Sequence, residues 1–535
     1  MPSMDEPRRR GNDAIAPSDA PLFRLLEETA TRHPDHIALT LEGRSMTYAE
    51  LLQGSRAVAR GLRALGVGKG DRVGLILPNL PQYVMAFFGI LQAGGVVVNL
   101  SVMTPGDAPF SLLKHSGAEV AVTADVFAGP LVRAAQGDGL RHIVIVPLAG
   151  KELPKGAGPG GPECIPFEAL FQHPSTEPLP ADTGGDDPAV FQYTSGTTGR
   201  PKAAVLTHRS LFSNVLQIDR AVDVSVPENG GTVCMIPFFH VFGLTICLLS
   251  SVHKGYRMIL VPRVDWSSAL SILEIVRDQR PVSFPAVSSL WAALMSHPEA
   301  GNYPLDAIHV PSGGGSSLPE WVQDRFRALT GRNIMEAYGL SEASSTTHIN
   351  PPDRVVPGSI GLPLPGTEAR IVDMGTGETD CPAGEVGELI VRGPQVMKEY
   401  WREPELTAKA LRNGWLYTGD LARKDENGYF FVVDRKDDLI ISSGFNVYPS
   451  EIEDILVTHP GIRAAAVIGA PDRVRGQVVR AFVVREPGAT VTREEVLQFC
   501  RDRLAETKIP KTVVFTEEIP QSPTGKPLRR TLRSA

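Results

Sequence analysis

The sequence predicts an α/β protein with a large N-terminal domain of α/β layers, a small β-barrel-like subdomain within it, and a small α+β C-terminal domain. Three observations carry this. From about Pro21, helical segments alternate with short β-rich runs, the pattern of layered sheet with largely parallel strands. Between Gly361 and Asp434 the text changes to short β-rich pieces separated by turn residues. After Asp434 a stretch with its own helix and strand pattern runs to the end. The domain limits are therefore set at 21–434, with the β-rich subdomain over 361–434, and at 435–535.

The elements follow in order. Residues 1–20, MPSMDEPRRRGNDAIAPSDA, read as a disordered leader; no apolar run follows its arginines, so neither a signal nor a transit peptide is visible. LFRLLEETATRH and YAELLQGSRAVARGLRALG predict helices, and DRVGLIL and GVVVNL predict buried strands. The most apolar stretch, Tyr83 to Val98, contains Gln92 and the Gly94-Gly95 break and is shorter than the ~20 residues needed to span a bilayer. It reads as a buried helix running into a buried strand. The Gly/Pro-rich stretch from Leu148 to Gly161 reads as a surface loop. In the β-rich part, EARIVD, GELIVRG and WLYTGD are strand-like, and ENGYFFVVD opens on an Asn427-Gly428 hairpin turn. The C-terminal part reads LIISSG, a helix PSEIEDILVTH, strands AAAVIGA and VVRAFVVRE, a helix REEVLQFCRDRLAE and a strand TVVFTE.

Composition narrows the function. The 535 residues are 42% hydrophobic and 21% charged, enough for several packed cores. With 53 Lys+Arg against 60 Asp+Glu, the net charge of −7 argues against a nucleic-acid binder that works by broad phosphate neutralisation. A local anion site is compatible with it. The five cysteines are scattered and form no CxxC or Cys/His pairing, which suits reduced thiols in the cytoplasm.

The most informative segment is PAVFQYTSGTTGRPKAAVLTH, Pro188 to His208. A strand-like run ends at Tyr193, small residues follow from Thr194, and AAVLTH resumes a strand. Gly196 and Gly199 allow close backbone approach to an anion. The hydroxyls of Thr194, Ser195, Thr197 and Thr198 can donate to its oxygens, and Lys202 adds positive charge. Phosphate is the natural ligand. GxxxxGK[ST] is not met, so a P-loop NTPase is disfavoured. GVGKGD, with Gly66, Gly68 and Gly70, follows a helix and lacks the dinucleotide spacing; it reads as a turn.

Further segments join chemistry-capable residues to turns: PFFHVFG with His240, MEAYGLSEAS with Tyr338, Ser341 and Glu342, WLYTGD ending in Asp420, VVDRKDDLIISSGFNVYPSEIE with Arg435 and Asp437, and PTGKPLRR with Lys526. Singly, each reads equally as a core histidine, a solvated loop or a surface ion pair. Together and in this order, YTSGTTGRPK, YGLSE, YTGD, DRKDDLIISSGFNVYPSEIE and PTGK closely resemble the adenylate-forming superfamily of acyl-CoA synthetases, adenylation domains and beetle luciferases, from about Pro21 to Arg530. The segment from Gly393 to Ile441 is most similar to fatty acyl-CoA synthetases.

The resemblance implies that the C-terminal domain is mobile and swings about Asp437, with ATP, Mg²⁺ and CoA as the small molecules used. It gives Thr194, Ser195, Gly196, Thr197, Thr198, Gly199 and Lys202 to the β- and γ-phosphates, Glu342 to Mg²⁺ and Ser341 to the α-phosphate. Tyr338 is implied to stack on adenine, beside Gly313, Gly314, Gly315, Glu336, Ala337 and Gly339, while Asp420 accepts the ribose hydroxyls with Arg435 in support. Lys526 is implied to be the catalytic lysine, bridging the acyl carboxylate and the α-phosphate. Ser443, Gly444 and Phe445 are implied to meet the pantetheine of CoA, and His240, Phe284, Pro285, Ala286 and Gly339 to line the acyl pocket. No aspartate lies in PFFHVFG to anchor a substrate ammonium, so an uncharged acyl tail is expected. SGGGSSL replaces the commoner SGGAPL, Gln477 stands where many relatives carry Glu, and NLSVMTPGD lacks the usual NP start, departures that bear on substrate range.

The activity so implied is activation of a fatty acid as acyl-AMP with release of pyrophosphate, then transfer of the acyl group to CoA. An aryl-acid–CoA ligase and an adenylating enzyme that loads a carrier protein remain open, as does a luciferase-type oxygenase. A catalytically silent nucleotide-binding protein is disfavoured because Lys526, Glu342 and Asp420 are all retained. No nucleic acid partner and no transmembrane segment are expected. Peripheral membrane contact and a homodimer are left open.

Overall fold

A computed structural model of the chain describes residues 19–104, 108–135, 139–150, 161–172, 182–194, 202–227, 229–262, 269–442, 445–473, 475–521 and 528–533. The expectations for the leader, for most of the loop from Leu148 to Gly161, for Ser195 to Gly199, for Ser443 and Gly444, and for Lys526 lie outside the described residues.

Among the described residues there are four sheets. The first is nine-stranded; its centre, Met335–Leu340, Val310–Gly314, Ser283–Val287, Gly231–Cys234, Arg257–Leu260 and Ile37–Leu41, is parallel throughout. The second is eight-stranded and parallel except at Lys202–Thr207, which pairs antiparallel with Pro188–Thr194 on one side and with Glu399–Tyr400 on the other. Buried on both faces, such strands read as continuous apolar runs, as VVVN at Val96–Asn99 does.

The apolar stretch expected to run from helix to strand does so. Pro81–Gln92 is a helix with every residue from Tyr83 to Gln92 buried, and Val96–Asn99 is a buried strand. It packs against Tyr48–Ala64, whose start is fixed by a capping box: Thr47 accepts from Glu50 N, and the Glu50 carboxylate accepts from Thr47 N. The two helices approach closely because the contact is made at glycine: a Cβ on Gly89 would lie 2.7 Å from Val58 Cγ1. Each large apolar side chain buried here, such as Phe87 or Phe88, adds about 1.5–3 kcal/mol of transfer free energy. Gly66 and Gly70 have φ of 87° and 79°, the left-handed turn expected of GVGKGD.

The β-rich stretch forms the third sheet, antiparallel, in the order Glu368–Val372, Gly387–Arg392, Trp415–Lys424 and Leu411–Arg412, with Phe430–Arg435 also paired to Trp415–Lys424. The fourth sheet carries the long hairpin Ile462–Asp472 and Gly476–Arg485, flanked by Ile440–Ser442 and by Thr512–Phe515. Helices Pro449–Leu456 and Arg493–Arg501 cover it, and Ile452, Leu456, Val467, Val483 and Cys500 form a core of their own. A separate core beyond Ile440 is what a compact C-terminal unit requires.

A buried polar network ties the first two sheets together where their strand ends meet. Asn79 Nδ2 donates to Cys234 O and Ile236 O, Asn99 Nδ2 to Gln192 Oε1 and Phe238 O, and Gln192 Nε2 to Phe239 O. All three side chains are buried, so their unmet bonds would be costly; the network fixes the segment leading into His240. No helix among the described residues is long and apolar enough to cross a membrane.

Candidate active site

The candidate residues gather where the first, second and third sheets meet. Strand Met335–Leu340 delivers Tyr338, and its hydroxyl donates to Asp420 Oδ2 at 2.5 Å. Asp420 and Arg435 are direct cross-strand partners in the third sheet, so their side chains share a face; Arg435 Nε donates to Asp420 Oδ1 at 2.7 Å. The Asp420 side chain is 9% exposed and that of Arg435 46%. Burial, with Asp420 beside it, pushes the Tyr338 phenol far above its usual range, so it remains a donor. Asp420 raises Arg435 further, and the guanidinium stays charged.

Thr194 and Lys202 are the last register pair of the hairpin Pro188–Thr194 and Lys202–Thr207. The two residues that flank the Gly/Ser/Thr segment are thus held opposite each other in the sheet. Thr194 Oγ1 is buried without a hydrogen-bond partner among the described residues, an acceptor and donor of the kind a bound oxyanion satisfies. Lys202 Nζ lies 3.9 Å from the Tyr400 ring centroid and donates to the Tyr400 hydroxyl at 2.5 Å; that hydroxyl donates to Glu342 Oε1 at 2.6 Å. Lys202 and Glu342 are also ion-paired at 3.4 Å. Both of these contacts to Glu342 fall on Oε1. Among the described residues there is no group of three or more His, Cys, Asp or Glu side chains able to hold a metal ion. One carboxylate beside a lysine, as Glu342 beside Lys202, is compatible with Mg²⁺, which takes most of its remaining ligands from phosphate oxygens and water.

Tyr400 was not singled out in the sequence. It is separated from Lys202 by 198 residues and reaches it only because Glu399–Tyr400 adds a short strand beside Lys202–Thr207, with Tyr400 opposite Ala204. No local pattern announces that pairing.

Gly313 and Gly314 end strand Val310–Gly314, and Gly313 lies opposite both Ala286 and Glu336. Gly315 follows in the left-handed region at φ 90°. A Cβ on Gly339 would fall 1.4 Å from Ser345 O, so the turn back into Ser345–Ile349 admits no side chain there. Glu336 is buried and uses its carboxylate on Leu318 N and Gly358 N, which holds the segments around the glycines in place. Ser341 and Glu342 open a single 3₁₀ turn.

An apolar cavity begins beside this cluster, at Gly313, Ala337 and Phe242, and continues past Ile246 and Met335. Phe242 precedes a π-helical segment, Gly243–Leu249, an irregularity common at functional sites. Phe284 and Ala286 are fully buried in the neighbouring core, with Phe284 against Trp291 at 5.0 Å between ring centroids; Pro285 is buried between them. These three do not line the cavity, and neither do His240 and Gly339. His240 Nδ1 accepts from Phe242 N, a contact that shapes the entry to the π-helical segment.

Asp437 sits in the turn Lys436–Asp438, its carbonyl accepting from Arg533. Lys436 Nζ donates to Glu388 on one side of this turn, and Arg529 bridges Asp434, Asp438 and Glu453 on the other. Phe445 is 61% exposed.

The Tyr338–Asp420–Arg435 cluster, the Lys202–Tyr400–Glu342 cluster and the apolar cavity beside Ala337 fit the class of enzymes that activate an acid by nucleotidyl transfer. The chain belongs to the AMP-binding enzyme family, whose model matches residues 26–401, with the family's C-terminal domain matching 451–526. It is 38% identical over 529 residues to the long-chain-fatty-acid–CoA ligase of Bacillus subtilis (strain 168), covering 96% of this chain and 94% of that one. It is 35% identical to the feruloyl-CoA synthase of an Amycolatopsis species, covering 94% of this chain and 96% of that one. Its fold is similar to the O-succinylbenzoate–CoA synthetase of Bacillus subtilis solved with ATP and magnesium, with a TM-score of 0.81, 28% identity, and 96% and 100% of the two chains covered.

Proposed function

We propose that the protein is an ATP- and Mg²⁺-dependent fatty acid–CoA ligase. One observation carries the reading: Gly313 and Ala337 line the apolar cavity, while Tyr338, the next residue along the strand, is bonded to the Asp420–Arg435 pair. An uncharged acyl tail and a nucleotide can therefore sit end to end with the acid's carboxylate between them. The names of the curated relatives support an aliphatic acid over an aromatic one.

A carboxylate is a poor acyl donor, so the first step is attack of its oxygen on the α-phosphorus of ATP, which breaks the bond to the bridging oxygen and releases pyrophosphate. Asp420 and Arg435 hold the ribose, Tyr338 packs on the base, and Lys202 with the residues from Thr194 to Gly199 holds the β- and γ-phosphates. Glu342 would hold Mg²⁺, which neutralises charge on the departing pyrophosphate. Lys526 stabilises the negative charge that builds between carboxylate and α-phosphate, and Ser341 reaches the same phosphate. In the second step the CoA thiolate attacks the acyl carbonyl and AMP leaves with its phosphate oxygen. We assign the change between steps to rotation of the unit beyond residue 434 about Asp437, which withdraws Lys526 and brings Ser443, Gly444 and Phe445 to the pantetheine. His240 acts on the acyl entrance through Phe242, from whose backbone N–H it accepts a hydrogen bond. Five unbridged cysteines suit a reducing cytoplasm.

The test is pyrophosphate release over acids from acetate to oleate, with benzoate, cinnamate and ferulate, with and without CoA. Turnover of C8 to C18 acids, stimulated by CoA and lost in Lys526→Ala, is expected. Turnover of the aryl acids alone would transfer the assignment to an aryl-acid–CoA ligase, and release that CoA does not stimulate would point to a carrier protein as acceptor.

A further inference from the structure

The cavity has a far end, and its chemistry differs from its mouth. Val310–Gly314 and Ser283–Val287 run parallel, with Gly313 opposite Ala286 and Val310 opposite Ser283. Gly313 lines the mouth, Val310 and Ser283 line the interior, and three strand residues span about 10 Å, so the cavity descends from the C-terminal edge of the first sheet to its N-terminal edge. Ile218 and Val222 from the helix His208–Ala221 and its exit form part of the other wall, with Phe242 and Ile246.

At the lower edge the wall is made by Ser251, Lys254 and Tyr256. The backbone of Tyr256 is held from both sides: its N–H donates to Ser251 O at 2.9 Å, and its carbonyl accepts from the buried Tyr48 hydroxyl at 2.7 Å. Gly255, at φ 68°, makes the turn that brings Lys254 and Tyr256 to the same end. Lys254 is ion-paired to Asp219, which His253 Nε2 also meets at 3.4 Å. Hydrogen bonding from His253 and Lys254 holds the Asp219 carboxyl well below the usual range, so the pair is charged. With side chains 41% and 24% exposed for Asp219 and Lys254, this cluster lies at the surface. Ser251 Oγ, buried without a partner among the described residues, adds a polar collar just inside it.

We propose that Tyr256, backed by the Lys254–Asp219 pair, is the end stop of the acyl cavity and sets the longest acid that the enzyme activates; this rests on the fatty-acid reading above. The walls above it are apolar and accept methylenes. At the stop, a longer chain meets an aromatic ring whose main chain cannot shift without losing two hydrogen bonds. Behind the ring stands an ion pair that a methyl group would have to desolvate without compensation.

The experiment measures kcat/KM for straight-chain acids from C4 to C18 at saturating ATP, Mg²⁺ and CoA. Each methylene that the cavity seats raises kcat/KM by about fourfold, until the chain reaches the stop and the rise breaks. Tyr256→Ala is expected to move the break to longer acids, and Val224→Phe, which adds bulk to the cavity wall, to shorter ones. If Tyr256→Ala does not fold, shortening by Val224→Phe remains the readout. A break unmoved by the folded variants would overturn the end stop and leave the ligase assignment intact. Wild-type enzyme that turns over aryl acids and no aliphatic acid would overturn the functional reading, and the end stop with it.

Discussion

Replacing Tyr400 by Phe removes one oxygen atom and separates two roles that the ring performs. The ring itself, 3.9 Å from Lys202 Nζ, is kept, so packing and the cation–π contact survive. What is lost is the hydroxyl that accepts from Lys202 at 2.5 Å and donates to Glu342 at 2.6 Å. Burial pushes that phenol far above its usual range, and the Glu342 carboxylate adds to the effect, so it acts as a donor at any working pH. Hydrogen bonds to charged groups are worth about 1.5–3 kcal/mol each. The two losses do not add in full, because Lys202 and Glu342 already approach to 3.4 Å and can close on each other. A net loss of about 2 kcal/mol corresponds to a roughly 30-fold fall in kcat/KM for MgATP. The assay is acid-dependent ATP–pyrophosphate exchange across a Mg²⁺ titration, run beside single-turnover thioester formation from purified acyl-adenylate and CoA. The expected result is a loss confined to adenylation with a raised Mg²⁺ requirement. An equal fall in both half-reactions, or a fall with unchanged Mg²⁺ dependence, would show that Tyr400 only supports the fold and would refute the argument.

Other expectations follow from the same geometry. Arg529→Ala strands Asp434 and Glu453, whose side chains are 2% and 12% exposed, and should destabilise the C-terminal unit by about 3–5 kcal/mol, read as a separate early transition in thermal melting or limited proteolysis. Gly339→Ala must displace Ser345 backbone and should cost at least about 3 kcal/mol, seen as a lower urea midpoint together with lost adenylation. His208 is buried with Nδ1 accepting from Leu22 N, and burial lowers it to about 4. Its folded value lies below the ordinary 6.5, so its contribution is fully present above pH 6.5 and is lost as pH falls toward 4, about 3 kcal/mol in all. Urea midpoints measured from pH 7 to pH 4 should fall accordingly, and less steeply in His208→Gln.

The amino-acid order alone determined the layered α/β class, the β-rich insert and the C-terminal unit, because each rests on periodicity and turn chemistry within a few residues. The helix-to-strand passage from Tyr83 to Val98 and the Asn427-Gly428 hairpin are legible for that reason. Tyr338, Asp420 and Arg435 could be nominated from motifs, yet only sheet register made Asp420 and Arg435 neighbours and brought Tyr338 to them. Tertiary structure alone decided three further things. It joined Tyr400 to Lys202 through a two-residue strand with no pattern of its own. It placed Phe284 and Ala286 in the core, since strand alternation and the neighbouring Trp291 decide which face a side chain takes. It brought Tyr256 and Lys254 to the wall of the apolar cavity, with Lys254 paired to Asp219, residues whose separate positions in the chain say nothing about the helix and turn that bring them together. Local patterns are written in the sequence because they are enforced by neighbours along the chain; a site assembled from four sheet and helix ends is fixed by packing, which no short window contains.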